Sequence, residues 1–436
     1  LIFTRKSYNY HADYKFSNHF KIQFTGGISN VQRKAIEDTN IVDSYNDTYY
    51  SNEIYSGTST TNELQLQYDL KGITLIAGGG MYSETMSEKG HYDFSGTVST
   101  NNLDSLNPHQ NIDYGYAQAD INGKCINEKW KNFNLILGGR FSKQNTYGNN
   151  FSYEINPSYK LNQHSLLYAS FTTGFNAPSL YELYSPADQY SLITLGDKNL
   201  QAETSKSFEI GIKHDFGNNT HFSACWFNTV VKNSIEYVYL WNSKTSVDSL
   251  SYSDYIGDTY INVGTQTNTG FEFTISSQLS EKINFSANMS IVNGTLQYKP
   301  SSIDTNQTHG NYVQLFNGGA FITQKVNAFG LLRRPENNIN IAMTYQPIKK
   351  LILRMDVRMV GARTDAVFVS NLGPYGAEGT TDVAAYTLVD FNAKYNFCKH
   401  FSAGFRMENI FNTPYSEING YTTRGRGEYV NLRYNF

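Results

Sequence analysis

The chain has no run of 18 consecutive apolar residues, so no segment reads as a helix that crosses a membrane. Cysteine is scarce: Cys125, Cys225 and Cys398 are far apart and odd in number, with no Cys-x-x-Cys pair and no zinc spacing. At least one thiol stays free, and the plain reading is a buried or lipid-facing side chain. Charge of one sign is also lacking. The net charge is −3, with no basic cluster and no RNA-type motif, so no nucleic-acid partner is expected. His164-Ser165 has no acid or further base at a spacing that completes a hydrolytic set, so the chain is not read as an enzyme. No export signal is present and the first residue is Leu1. For an exported protein this reads as the C-terminal part of a longer chain.

What is present is alternation. Residues 208–216 put Phe208, Ile210, Ile212, His214 and Phe216 on one face, and Glu209, Gly211, Lys213 and Asp215 on the other. Residues 283–291 set Ile283, Phe285, Ala287, Met289 and Ile291 against Asn284, Ser286, Asn288 and Ser290. Residues 351–358 and 388–397 repeat the pattern, and the chain ends on Val430, Leu432, Tyr434 and Phe436 at every second position. A period of two is a β-strand. At 436 residues the chain is too long for one ordinary soluble core. Many strands of about ten residues, apolar on one face and polar on the other, are the pattern of a transmembrane β-barrel around a wet lumen. The 34 tyrosines and 27 phenylalanines suit its interfacial girdles, although a large soluble sandwich could also use them.

The pattern predicts seventeen strands: 2–15, 19–32, 59–70, 72–87, 113–126, 131–146, 149–161, 164–174, 204–217, 219–232, 259–279, 282–297, 337–346, 350–363, 385–397, 400–411 and 425–436. Tight connections such as Ser17-Asn18, Asn162-Gln163 and Cys398-Lys399 alternate with mostly long ones near 33–58, 88–112, 175–203, 233–258, 298–336, 364–384 and 412–424. Short periplasmic turns and long extracellular loops are the barrel arrangement, so the long loops lie outside. Single-chain barrels have even strand numbers, so an odd number of strands is missing upstream. Five more give 22, the size of a plugged transporter; one more gives 18, a porin size.

Residues 171–184 read Phe-Thr-Thr-Gly-Phe-Asn-Ala-Pro-Ser-Leu-Tyr-Glu-Leu-Tyr, and 196–211 run from Gly196 through Lys198-Asn199-Leu200 and Glu203 to Glu209 and Gly211. Near the end stand Glu408-Asn409-Ile410-Phe411-Asn412-Thr413-Pro414-Tyr415 and then Gly420-Tyr421, Arg424 and Arg426. In order and spacing these segments resemble the barrel of TonB-dependent outer-membrane receptors. The resemblance departs from the family where Lys198-Asn199-Leu200 lacks a proline, and where Phe175-Asn176-Ala177-Pro178 lacks the arginine of haem receptors. The family resemblance implies an N-terminal plug and a TonB-contacting segment, both absent from residues 1–436, which form only the C-terminal part of the barrel. It implies an outer-membrane location and TonB-driven uptake of a scarce large ligand. The ending is similar to that of the vitamin B12 receptor, which makes a corrinoid the first choice. Ferric-siderophore or haem receptors of the same family, and a passive porin, stay open. A surface lipoprotein partner is a further expectation. The resemblance also implies that Val430, Leu432, Tyr434 and Phe436 form the assembly signal.

Ligand-contacting candidates are aromatic residues in or beside the outer loops: Tyr49, Tyr50, Tyr181, Tyr190, Trp241, Tyr255, Tyr312 and Phe316. Rigid rings offer large contact area to a macrocyclic ligand with few side chains to order. The bland reading of each is loop packing or an interfacial girdle. No cofactor is expected apart from calcium at Asp38, Asp43 and Asp47, in a loop that also carries Glu37 and Glu53; a solvated acidic loop is the plainer reading. Arg333, Arg334, Arg424 and Arg426 lie near outer strand ends, where they reach lipid phosphate, an anionic ligand or simply water.

Overall fold

A computed structural model describes residues 1–436 except 38–48, 95, 188–190, 218 and 329–330. Its strands are β1 (Ile2–Lys15), β2 (Phe20–Glu37), β3 (Tyr49–Leu70), β4 (Ile73–Phe94), β5 (Thr97–Asn102), β6 (His109–Asn122), β7 (Phe133–Gln144) and β8 (Asn149–Lys160). There follow β9 (Ser165–Asn176), β10 (Glu203–Asp215), β11 (Thr220–Trp241), β12 (Tyr255–Ser280), β13 (Ile283–Tyr298), β14 (Tyr312–Leu315) and β15 (Val326–Ala328). The last are β16 (Asn337–Ile348), β17 (Leu351–Val360), β18 (Arg363–Val369), β19 (Ala377–Val383), β20 (Tyr386–Asn396), β21 (Phe401–Glu408) and β22 (Gly427–Tyr434). Seventeen of them form one antiparallel wall in chain order, each paired with its neighbours. These are the seventeen strands the alternation predicts. Among the described residues no pairing joins β1 to β22, so each keeps one free edge.

Register gives the wall its two faces, because residues opposite one another point the same way. Phe285 is opposite Met343, then Met355, Phe391 and Met407 in successive strands. The next residue along, Asn284, leads through Thr344, Arg354, Asn392 and Arg406 to Tyr429. One face is therefore apolar and exposed for lipid, with Phe24, Leu64, Leu75, Ile155, Phe208 and Phe271 on it. The other is a polar lumen wall. The all-β transmembrane barrel architecture follows from that division.

Lumen tyrosines lie across glycines of the next strand. A Cβ on Gly78 would meet the Tyr116 hydroxyl at 2.5 Å, and one on Gly80 would meet the Asn62 carbonyl at 2.3 Å and Tyr114 Oη at 2.7 Å. Only glycine leaves room for rings so placed. Tyr114 and Tyr116 then donate to Glu63 at 2.7 and 2.9 Å, and Arg140 stacks 3.7 Å from the Tyr114 ring centre.

Strand ends depart from the sequence reading where the chain leaves the membrane. β3 begins ten residues before position 59, at Tyr49, and β11 runs nine residues past 232, to Trp241. Above the membrane both faces are wet, so alternation is lost while pairing continues. The long loops also carry paired strands of their own. β5 pairs with β4, β14 with β11 and β15 with β13, and β18–β19 forms a separate hairpin.

Candidate outer vestibule

Two small cores stiffen the outer loops. Val238, Leu240, Ile261, Val263, Tyr298 and Leu315 form one. Tyr239, Trp241 and Tyr255 form the other, with Tyr312, Phe316 and Tyr375 packed against them. Tyr255 stacks on Tyr375 with ring centres 4.9 Å apart, joining the loop after β11 to the β18–β19 hairpin. Trp241 has no exposed surface, and its Nε1 donates to Gln314 Oε1 at 2.7 Å. Trp241 and Tyr255 are thus buried against neighbouring loops. Tyr312 and Phe316 are partly buried at the edge of the same core.

The segment after β9 folds into a short helix, α1 (Leu180–Tyr184), for local reasons. Pro178 and Ser179 end the strand, and Ser179 and Glu182 make a reciprocal capping box. Leu180 and Leu183 face inward with Leu200. The 196–203 segment closes on α1, with Gly196 N–H donating to Ser185 O at 2.9 Å and Asp197 N–H to Glu182 O at 2.8 Å. A Cβ on Gly196 would lie 2.5 Å from the backbone of Tyr184 and Ser185. The two segments that carry the family resemblance therefore brace each other. α1 also reaches back against β4, four wall strands from β9, so it leans over the lumen mouth. Tyr181 stays exposed on it, while Lys198 covers the Tyr184 ring at 5.0 Å. Tyr50 is half-buried at the top of β3 beside His91. The Tyr49 side chain, Tyr190, Asp38, Asp43 and Asp47 lie outside the described residues.

The arginines have mixed surroundings. Arg333 Nε donates to Asp365 Oδ1 at 2.5 Å, and Asp365 also accepts the N–H groups of Ala366 (2.7 Å) and Asn419 (2.6 Å). Burial raises the Asp365 carboxyl, but these donors outweigh it and hold the carboxyl below the usual range. The contact ties the loop before β16, the β18–β19 hairpin and the final loop together. Arg426 pairs with Glu428 at 3.5 Å. Asn409 and Asn412 take left-handed backbone with φ of 48° and 50°, and their side chains bind Thr413 and the Arg426 N–H. That is the local task of the closing Asn-x-Phe-Asn segment. At the periplasmic end Ser165 Oγ meets His214 Nδ1 at 2.7 Å.

Charge divides along the barrel axis. Counting each connection between wall strands with the strand residue at either end, the long connections carry fourteen acids against nine bases among the described residues. The short connections carry ten lysines against three acids. Sequence reasoning missed this division because the net charge of −3 averages it away.

Residues 2–410 match the family described as TonB dependent receptor-like, beta-barrel. The vitamin B12 transporter BtuB of Vibrio cholerae serotype O1 is 24% identical over 308 residues, covering 71% of this chain and 41% of that protein. The probable TonB-dependent siderophore receptor PiuA of Acinetobacter baumannii is 24% identical over 405 residues, covering 84% and 48%. Among solved structures, the copper transporter OprC superposes with a TM-score of 0.69 at 14% identity, over 100% of this chain and 65% of that one. The chain thus spans less than half the length of these two sequence relatives. With the match running from β1 past β21, this chain belongs to the TonB-dependent receptor β-barrel family.

Proposed function

We propose that the chain is the C-terminal part of the barrel of an outer-membrane receptor that takes up a scarce, large, uncharged ligand, with a corrinoid as first choice. Further strands pair the free edges of β1 and β22, since each unsatisfied backbone group costs several kcal/mol in lipid. Both edge strands run downward, so an odd number of strands fits between them, and 22 in all is our reading. A barrel this wide needs a plug, and the TonB complex moves it. The process is binding and gated passage, with no chemical step.

The observation that carries the ligand class is the excess of five acids in the outer connections. A cleft lined by one sign of charge slows ligands of that sign and leaves neutral ones unaffected. That supports a corrinoid over a polyanionic ferric chelate. The likeness to BtuB agrees, and the likeness to PiuA keeps a siderophore as the second reading. In this reading Tyr181, Tyr50, Tyr312 and Phe316 contact the ligand, and Tyr49 and Tyr190 belong to the same proposal. Trp241 and Tyr255 hold the loops that present them. Calcium at Asp38, Asp43 and Asp47 orders the loop between β2 and β3, and a surface lipoprotein covers the mouth. The experiment is equilibrium binding of cyanocobalamin and of a ferric catecholate to intact receptor. Cyanocobalamin binding alone supports the reading. Ferric-chelate binding alone sinks it, and free leakage of small solutes without either favours the porin.

A further inference from the structure

The short connections gather lysines at one end of the barrel, away from the outer loops. Five of the ten lysines at this end stand beside interfacial aromatics in the sequence. Lys15 lies between Tyr14 and Phe16, Lys129 and Lys131 flank Trp130, Lys160 follows Tyr159, and Lys399 lies between Phe397 and Phe401. The aromatics form a belt on the lipid-facing side of the wall. Phe16 and Phe20 stack at 5.3 Å, Trp130 meets Phe133 at 5.7 Å, and Phe397 meets Phe401 at 5.2 Å. Phe16, Trp130, Phe216, Phe397 and Tyr434 are all exposed, as side chains waiting for a lipid interface are. Such a belt fixes depth: its rings sit at the headgroup boundary, so the long, flexible lysine side chains of the same rim lie at the level of the phosphates.

The lysines are also unneutralised by the protein. Of the ten, Lys124 alone has an ion-pair partner among the described residues, Glu128 at 3.7 Å. Two of the acids at this end are engaged elsewhere. Asp69 accepts from Thr74 and Gln67, and Asp215 from the Gly217 N–H. The opposite end of the same barrel has the reverse sign. A general need for solubility explains neither the asymmetry nor the placing of half of these lysines beside belt aromatics.

We propose that this periplasmic rim is a collar for the phosphate headgroups of anionic phospholipids in the periplasmic leaflet. The aromatic belt sets the level and the lysines supply the countercharge. The collar holds the barrel at a fixed depth and enriches anionic lipid around it.

The test is native mass spectrometry of the full-length receptor in mild detergent, titrated with equal phosphatidylglycerol and phosphatidylcholine of the same acyl chains. The wild type is expected to retain the anionic lipid roughly threefold or more over the zwitterionic one. The preference is expected to collapse as salt shortens the screening length to about 3 Å near 1 M. Changing Lys15, Lys131, Lys160, Lys350 and Lys399 together to Gln removes the preference, and changing the same five to Arg keeps it. Heat-modifiable mobility reports that each variant is folded. If the Gln variant fails to fold, acetylating the lysines of folded wild type replaces it. Equal retention of both lipids by wild type overturns the proposal, as does a preference that survives neutralisation. Loss of a bound periplasmic protein with lipid preference unchanged makes the rim a protein interface and also overturns it.

Discussion

Replacing Met289 with Arg puts a charge at the centre of the apolar wall. β13 starts at Ile283, just above the turn at residues 281 and 282, and a membrane strand needs about 9–11 residues to cross. Met289 is the seventh residue of the strand, opposite Phe273 on one side and Ile339 on the other. An Arg near the midplane on the lipid face costs roughly 2–4 kcal/mol, and near an interface only about 0–1 kcal/mol. Phe285 is the third residue, close to the turn, so Phe285→Arg belongs nearer the low end of that range. Asn288 adjoins Met289 but faces the lumen, opposite Thr274 and Asn340. Asn288→Arg should cost little. The assay is urea titration of each variant refolded into vesicles, read by heat-modifiable mobility on gels. The expected order of loss is Met289→Arg, then Phe285→Arg, then Asn288→Arg. Equal losses for Met289→Arg and Asn288→Arg would refute the assignment of faces.

Four further outcomes are expected. Glu236 lies sixteen residues above the turn before β11, outside the membrane, and burial lifts its pKa to about 7, with nearby Glu203 adding and Ser234 and Tyr298 opposing. The folded state then binds more protons than the unfolded state between the ordinary glutamate range and pH 7, so stability of the outer loop core falls as pH rises through that window. With partial solvent access the change is about 2 kcal/mol, and Glu236→Gln should abolish it in hydrogen exchange of β11 and β14 measured at pH 5 and pH 8. Trp241→Ala should loosen the loop core by about 3–5 kcal/mol, since it opens a cavity and orphans the fully buried Gln314, and protease nicking of the outer loops on cells reads this. Tyr181→Ala should weaken ligand binding by roughly 1 kcal/mol or more without changing protease resistance, in contrast with Trp241→Ala. Deleting Phe436 should lower outer-membrane levels; unchanged levels would count against residues 430–436 as the assembly signal.

The wall was legible because the membrane writes it into the sequence. Lipid on one side and water on the other force a period of two, and Ile283–Ile291 shows it without a break. The outer structure was not legible, for the same reason in reverse. In Tyr49–Gly57 both faces are wet, so polar residues follow one another and the strand left no pattern. Trp241 reads as a loop aromatic because its neighbours in sequence are loop residues. Its actual neighbours, Gln314 and Phe321, come from another loop more than seventy positions away. The short motifs were readable as likeness, but their task was not. Gly196 matters because the backbone of residues 183–185 passes against it, which no local pattern announces. The division of charge needed the topology first, since it is a property of which connections share an end.

The central claim is energy-dependent uptake of a corrinoid through a plugged barrel. It is tested most directly by accumulation of labelled cyanocobalamin in cells whose sole receptor candidate is the full-length protein, with and without a working TonB complex. The account predicts saturable surface binding in both cases and accumulation only when TonB works. Accumulation that is unsaturable and independent of TonB, or the absence of any surface binding, would contradict it.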